Sequence, residues 1–389
     1  MAWIDTLLSA FKGGEAERLP LGSGLANGFP GTWPSAFESV SQPEDFEYSS
    51  AVRTGFLANP IAQRAVRIVA EGIAQAPLTA SDPRLITLIT ATSAGQKLIE
   101  TLAAHVLLHG NGYVQIARDA SGAPVELFAL RPDRVQIIAD ASGWPSAAQY
   151  SVGPETRRIA FEDEDGWPAL VHVKALHPLD DQYGASALAA AVPAVRIHNA
   201  ASAWNRALLD NAARPSGALV HEAGDGGALT TDQFERLKDE LSSAFSGAGN
   251  AGRPMLLDGG LKWQSMALSP ADMDFATLKS AAAREIALAF GVPPMLLGLP
   301  GDNTYSNYRE ANRALWRLTL LPLAAKLLTS LSEALEPWFP DASLAVDLDQ
   351  VPALSEDRER LWRQVSEADF LTRTEKRQML GFPDDGDTP

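Results

Sequence analysis

The fold is decided by residues 269–338, which read SPADMDFATLKSAAAREIALAFG (269–291), VPPMLLGLPGDNTYSN (292–307) and YREANRALWRLTLLPLAAKLLTSLSEALEPW (308–338). The pattern predicts two helices joined by a loop rich in proline and glycine. Ser269 can cap the first helix, and Gly291 with the two prolines that follow it closely ends that helix. The loop offers no nucleophile, metal cluster or phosphate cradle, so we expect its role to be mechanical or steric.

The second helix of this stretch carries apolar side chains every three or four residues from Tyr305 to Leu335. That spacing predicts a long helix with one apolar face. Pro322 lies inside the run, and because proline has no backbone N–H to donate, we expect a kink there.

Composition limits the kind of protein this can be. The chain has 389 residues, 46% of them hydrophobic and 21% charged, which is enough for two or three packed units. Its 32 basic and 48 acidic residues give a net charge of -16, which disfavours tight, sequence-independent binding of a phosphate backbone. The absence of cysteine excludes disulfides, thiolate catalysis and cysteine-ligated metal centres.

We expect no attachment to a membrane. The longest apolar runs, 286–299 and 318–328, are interrupted before the roughly 18 to 20 residues that cross a bilayer. The opening MAWIDTLLSAFKGG has an apolar helical face, but Asp5 and the lack of a basic start are unlike a secretory signal.

Residues 50–185 carry the pattern of an α+β unit, in which helices come first and strands follow. Asn59 caps one helix and Asp82 begins a second, shorter one. Ser93 and Gln96 form a capping box before a third helix. The alternating segments that follow, separated by turn signals, predict an antiparallel meander.

Two long helices flank a small insert. The first of them is the alanine-rich stretch 186–213. The insert, 214–268, is predicted to contain a strand, a helix capped by Thr230 and Gln233, and a hairpin that turns at residues 258–260.

Two patterns hint at metal chemistry. The acidic run 162–165 could bind a cation, but it lacks ligand spacing and a solvated loop is favoured. His105 and His109 lie four residues apart in HVLLH, a spacing that can share a metal on a helix. The motif lacks the glutamate of a metalloprotease helix and lies in an apolar run, so a structural role is favoured. The sequence also has no serine elbow and no phosphate loop. We therefore assign no metal, no cofactor and no catalytic residue.

Charged side chains supply the remaining candidates. Three in the insert could contact a phosphate backbone or a partner, or could be ordinary surface charge: Lys238, Arg253 and Lys262. Three on the first helix of the opening stretch could form ion pairs between subunits, although surface charge explains them as well: Lys279, Arg284 and Glu285.

A resemblance to a known family rests on the string DMDFATLKSAAAREIALAFGVPPMLLGLPGDNTYSNYREANRALWRLTLLPLAAKL. It resembles the signature region of tailed-bacteriophage portal proteins, of the type found in long-tailed temperate phages and gene transfer agents. Further similar segments follow the expected order: NPIAQRAVRIVAEGIAQAPL, HGNGYVQIARDASGAPVELFALRPDRVQI and NAARPSGALV. The resemblance covers residues 50–340.

The resemblance implies an α+β portal-type protomer that assembles as a ring, typically of twelve copies, at one vertex of a capsid. Its parts would follow one another along the chain. They are an N-terminal arm (1–49), a wing (50–185), a stem helix (186–213), a clip (214–268), a second stem helix (269–291), a channel loop (292–304), a wing or crown helix with its connection (305–354), and a C-terminal crown with a disordered tail (355–389).

The implied function is a channel for double-stranded DNA during packaging and ejection, and the point of head–tail attachment. Because the chain has no nucleotide-binding loop, the resemblance implies the terminase large subunit as the motor. The other implied partners are the major capsid protein and a head–tail adaptor protein. The ring would assemble in the host cytoplasm and remain in the virion. The loop residues implied to approach DNA are Leu297, Gly298, Leu299, Pro300, Gly301, Asp302 and Asn303.

Two alternatives stay open at this point. One is a metal-assisted hydrolase that uses His105 and His109. The other is a structural head–tail adaptor without a DNA channel. We expect the chain not to be an enzyme, and large rings in solution would favour the portal.

Overall fold

The computed structural model describes residues 47–210, 217–221, 230–245, 261–265, 275–300 and 304–380. The N-terminal arm, the cap predicted at Ser269 and the turn predicted at 258–260 lie outside these ranges.

Eleven α-helices are found in the described ranges. They are α1 (Tyr48–Ala51), α2 (Pro60–Ala74), α3 (Pro83–Thr90), α4 (Leu98–His109), α5 (Ala187–Asp210), α6 (Thr231–Phe245), α7 (Phe275–Ala289), α8 (Tyr305–Leu315), α9 (Leu321–Leu335), α10 (Ser355–Glu367) and α11 (Arg373–Leu380). A π-helical segment, Val52–Leu57, continues α1, and another, Trp316–Leu320, joins α8 to α9.

Twelve strands, most of them short, accompany the helices in the same ranges. They are β1 (Leu78–Ala80), β2 (Thr92–Ser93), β3 (Gln96–Lys97), β4 (Asn111–Arg118), β5 (Pro124–Leu130), β6 (Val135–Ala139), β7 (Pro145–Val152), β8 (Glu155–Ala160), β9 (Leu170–Lys174), β10 (Gly217–His221), β11 (Leu261–Ser265) and β12 (Leu344–Val346). The mixture of helices and small sheets is the predicted α+β class.

The chain divides into two compact units. The first unit contains residues 78–186 and 324–346. The second unit contains, in its described part, residues 47–77, 187–323 and 347–380. The segment 47–77 therefore belongs with the long helices rather than with the strands that follow it.

The first unit contains two three-stranded sheets, in the orders β5-β4-β9 and β6-β7-β8. All pairs are antiparallel, but the predicted meander is wrong in its topology. The last strand, β9, returns to β4 with His172 opposite Tyr113 instead of extending the β6-β7-β8 sheet. Seven buried side chains form a core cluster across these strands: Tyr113, Leu130, Val135, Ile137, Ala148, Ile159 and Leu170.

The capping box predicted at Ser93 and Gln96 is also wrong. These residues pair with each other in the β2–β3 hairpin, whose turn residues Ala94 and Gly95 both have positive φ, 48° and 79°. The Ser93 hydroxyl donates to the Glu126 carboxylate, so it is not available as a helix cap.

Three other predicted helix starts are confirmed. Asn59 Oδ1 accepts from the backbone N–H groups of residues 61 and 62 at 3.0 Å each. Asp82 accepts from the Arg84 N–H at 2.8 Å. Thr230 and Gln233 bond reciprocally, with Thr230 N–H donating to Gln233 Oε1 at 2.9 Å. Each cap satisfies backbone donors that the first helical turn leaves unpaired.

The insert between the long helices contains a two-stranded sheet. β11 pairs antiparallel with β10, with Trp263 opposite Leu219. The hairpin predicted for residues 253–268 is therefore not the pairing that β11 makes in the described part. Its partner strand lies on the other side of α6 in the sequence.

The predicted long helix runs from Tyr305 to Leu335 and includes the π-helical segment Trp316–Leu320. The sequence predicts the kink at Pro322, whereas the π-helical segment ends two residues before this proline. A proline ring conflicts with the carbonyl four residues earlier, here that of Leu318, and the wider π turn encloses this residue.

By length and composition alone this helix could cross a bilayer. The core helix of a folded protein passes the same test, and Leu320, Leu327 and Leu331 on it are almost fully buried. The expectation that the chain has no membrane attachment stays a prediction.

Two backbone segments of the first unit touch at a pair of glycines. Gly110 ends α4 with φ +83°, and the Ala175 N–H donates to its carbonyl at 2.8 Å. A Cβ at Gly110 would lie 2.2 Å from the Gly184 carbonyl oxygen. Gly122 has almost the same φ, +86°, but a Cβ there would meet nothing within 4 Å.

We expect Gly110→Ala and Gly122→Ala to separate backbone strain from close packing. Both put alanine in a left-handed conformation, which costs about 1–2 kcal/mol. Only Gly110→Ala adds a clash with backbone, so its loss of unfolding free energy should exceed about 4 kcal/mol. Urea unfolding of the two purified variants measures both losses, and equal losses would contradict the close approach.

Candidate functional site

The two long helices of the second unit, α5 and α7, pack against each other. The buried positions of α7 are Ala282, Ala283, Ile286 and Ala287, and those of α5 include Ala191, Ala194, Val195 and Ala201. Small side chains at a helix contact allow the two backbones to lie close together.

An aromatic contact joins the later part of α5 to the start of α7. Trp204, near the end of α5, has its ring centroid 5.6 Å from that of Phe275, the first residue of α7. The last two turns of α5 therefore begin beside the first residue of α7.

A buried polar group joins α5 to the start of α2. The Asn59 side-chain nitrogen lies 3.2 Å from His198 Nδ1 and donates to Asn199 Oδ1 at 2.9 Å. Burial lowers the pKa of His198, and the nearby positive charge of Lys279 lowers it further. Lys279, one of the predicted inter-subunit residues, therefore lies at the α5–α7 contact.

The opposite face of α7 is open to solvent within the single chain. Leu278 is 45% exposed and Leu288 is 78% exposed, with Arg284 and Glu285 between them, also exposed. An exposed leucine at this fraction is common singly, but two on one helical face indicate a surface suited to contact.

The junction between α7 and the loop is fixed by the long helix. Gly291 has φ +66°, and Thr319 Oγ1 donates to its carbonyl at 2.6 Å. A Cβ at Gly291 would lie 2.6 Å from the same hydroxyl oxygen, so a larger residue would displace Thr319.

The loop itself begins with a short 3-10 helix, Pro294–Leu297, followed by Gly298 with φ +73°. The Leu299 N–H donates back to the Pro294 carbonyl at 3.2 Å. The loop after α7 is therefore locally bonded up to this point.

Arg284 binds the end of this described part. Its guanidinium donates to the Pro300 carbonyl oxygen of the same chain. Thr304 then caps α8 by accepting from the Asn307 N–H at 3.2 Å. The predicted loop residues Gly301, Asp302 and Asn303 lie outside the described ranges. The inter-subunit role of Arg284 stays a prediction, since this contact lies within the chain.

Two of the three predicted cations of the insert, Lys238 and Lys262, lie in the described part. Lys238 is exposed on α6 and lies 3.5 Å from the Glu235 carboxylate. Lys262 is exposed on β11, and Arg253 lies outside the described residues. Their contact with DNA or a partner stays a prediction.

His109, the second histidine of HVLLH, belongs to a buried polar network in the first unit. Asn111 links His109 and His172, because its nitrogen lies 3.1 Å from His109 Nδ1 and its oxygen 3.0 Å from His172 Nε2. The His172 ring stacks on Tyr113 at 4.4 Å. His105 Nδ1 is buried and has no hydrogen-bond partner in the described part.

This arrangement favours a structural role for the network. The described residues contain no group of three His, Asp or Glu side chains placed to hold a metal ion. Sequence reasoning missed Asn111, which is fully buried and also accepts from the Gly184 N–H at 2.7 Å. The only sequence feature that could have indicated this role is the position of Asn111 directly after the glycine that ends α4.

Comparisons with known proteins place the chain in a family. A family model described as phage portal protein matches residues 60–381. A protein of Rickettsia bellii, described as uncharacterized, is 38% identical over 368 residues, covering 88% of this chain and 94% of the relative.

Solved structures agree with this match. The neck of a native gene transfer agent particle, computed with C12 symmetry, is 47% identical, with a TM-score of 0.67 over 87% of this chain and 94% of that one. An HK97-family phage portal protein from Corynebacterium diphtheriae is 17% identical, with a TM-score of 0.56 over 78% of this chain and 97% of that one, and it supports the fold alone.

Acid should weaken the first unit through its buried histidines. Burial lowers the pKa of His105 and of His172 to about 4 in each case. In the unfolded chain these rings take up protons near pH 6.5, a value close to that of free histidine. The unfolding free energy should therefore fall as the pH drops from about 6.5 to 4, because the unfolded state binds more protons.

His105→Leu removes one of these titrating groups from a site where ring Nδ1 has no hydrogen-bond partner among the described residues. We expect the pH slope of the unfolding free energy in this interval to decrease by about one proton. Urea unfolding at a series of pH values measures the slope. An identical slope in the variant and the parent would contradict the buried, neutral state of His105.

Proposed function

This chain belongs to the phage portal protein family, and from that premise we infer that it is the subunit of a portal ring at one capsid vertex of a phage-like particle. The conclusion rests mainly on the likeness to the gene transfer agent neck, which extends over most of both chains at 47% identity. The C12 symmetry of that neck supports a ring of twelve copies. The ring is a passive structural component, and neither the hydrolase nor the adaptor alternative gains support from the comparisons.

In this ring, α5 and α7 belong to the stem helices and the insert 214–268 is the clip. The close packing of the two helices through alanine supports a stiff pair. The contact of Trp204 with Phe275 supports the clip as an insertion between two adjacent helices. The exposed Leu278 and Leu288 of α7 face a neighbouring subunit, where they are covered.

The DNA-facing part of the ring is the loop 292–304. A conduit has to let DNA slide, and every phosphate neutralised by Lys or Arg adds affinity through counterion release. The net charge of -16 suits weak contact. The Arg284 guanidinium donates to the Pro300 carbonyl of the loop. Its main effect is therefore to hold the loop in position, and it adds little affinity for phosphate.

Further partners follow from the same proposal. A passive ring requires an external ATPase during packaging, which is the terminase large subunit. The major capsid protein surrounds the ring and a head–tail adaptor protein binds its clip.

The mass of the purified full-length chain tests the proposed function. We expect particles a dozen times heavier than the 41.5 kDa chain, with a central opening in negative-stain images. A monomer at every concentration would contradict the portal.

Leu288→Asp tests the subunit contact separately, because it places a charge on the exposed face of α7 without touching the α5 contact. The ring fraction should fall several-fold while the melting temperature of the monomer changes little. Rings of unchanged stability in this variant would contradict the assigned contact but not the portal function.

The loop is tested in assembled particles. Deleting residues 299–303 should lower the amount of nuclease-protected DNA, and Arg284→Gln should have a smaller effect in the same direction because it releases Pro300. Arg317→Gln is the matched control, since Arg317 is exposed and no hydrogen bond to the loop is seen for it among described residues. Normal DNA content in the deletion particles would contradict a role for the loop.

A further inference from the structure

The last two helices of the described chain line an open pocket of about 420 Å³. Its lining residues are Trp362, Leu371, Arg373, Lys376, Arg377 and Leu380. We refer to it as the α10–α11 pocket. Its volume lies in the range of small binding pockets, roughly 300–1,000 Å³.

Residues that do not line the pocket hold its wall, α11, in position through hydrogen bonds and an ion pair. Arg358 pairs with Asp349 at 2.5 Å and also donates to the Leu380 carbonyl at 3.1 Å, which fixes the end of α11. Thr372 and Glu375 form a reciprocal capping box at the start of α11, with Thr372 N–H donating to Glu375 Oε2 at 2.8 Å. Both ends of α11 are therefore fixed by hydrogen bonds.

The lining combines two kinds of chemistry. Trp362, Leu371 and Leu380 offer apolar surface, and the other three side chains carry positive charge in a chain whose net charge is -16. Lys376 Nζ donates to the Ser366 carbonyl at 3.0 Å, which holds its stem across the pocket. A ligand that fits needs an apolar or aromatic group next to carboxylates.

The chain contains such a segment directly after the pocket. Residues 381–389 read GFPDDGDTP, with one phenylalanine, three aspartates and no basic side chain. They begin at the residue that follows Leu380, a lining residue. Gly381 permits the reversal of direction that a return to the pocket requires. Nine residues reach at most about 30 Å, and so short a tether gives an effective concentration in the millimolar range.

We propose that the α10–α11 pocket binds the acidic segment 381–389 of the same chain, with Phe382 against Trp362 and Leu371 and the aspartates beside the three cations. A nucleic acid is the rival ligand for a basic site. The apolar half of the lining favours a peptide, since phosphate-backbone sites depend mainly on charge.

Disulfide trapping in the full-length chain tests the proposal, because the chain has no cysteine of its own. The pocket pair combines Pro383→Cys with Leu371→Cys, which leaves Phe382 in place. The matched control combines Pro383→Cys with Gln364→Cys, an exposed position about 200° around α10 from Trp362. Under mild oxidation, the pocket pair should link within one chain about ten-fold faster than the control, as expected for a tethered ligand.

The contribution of charge is tested by substitutions in the segment 381–389 and not in α10 or α11, so that a folding defect of these helices does not affect the result. Adding Asp384→Asn, Asp385→Asn and Asp387→Asn to the pocket pair should slow the link several-fold, and high salt should do the same. Equal rates for the two cysteine pairs, or links only between two chains, would overturn the proposal. So would a short DNA duplex that blocks the link at low salt, which would assign the pocket to nucleic acid.

Discussion

One hydrogen bond connects three parts of the second unit. Thr319 Oγ1 donates to the Gly291 carbonyl, which joins the end of α7, the start of the loop and the π turn of the long helix. The contact is close enough to exclude a Cβ at Gly291. Because the direction in which the chain leaves α7 is set here, the bonds within Pro294–Leu297 and the contact of Arg284 with Pro300 can place the loop reproducibly. Under the proposed function, the position of the DNA-facing loop depends on this junction.

Local chemistry could be read from the sequence wherever both partners lie within a few residues. The caps at Asn59, Asp82 and Thr230 are such cases, and each is found. Ser93 shows the limit, since its hydroxyl binds Glu126, 33 residues away, and a tertiary partner overrides the local motif. The return of β9 to β4 depends in the same way on pairing across a long separation.

The candidate site was predictable in outline only. The helix, the loop and its glycines are visible in the sequence, as is the family resemblance that assigns them a function. The partner of Arg284 is a backbone carbonyl, a group every residue carries, so no sequence pattern distinguishes it. The same holds for Asn111, whose partners include a histidine side chain and the backbone of Gly184.

The π turn at Trp316–Leu320 also changes the rotational phase of the long helix. Each α-helical residue advances by about 100° around the axis, and a π turn takes up one extra residue. Side chains beyond the turn therefore point about 100° away from where an unbroken α-helix would place them. The division between the two units falls just after it, between residues 323 and 324. The apolar face of residues 321–335 is therefore set independently of the face that residues 305–315 present, although no loop separates the two segments.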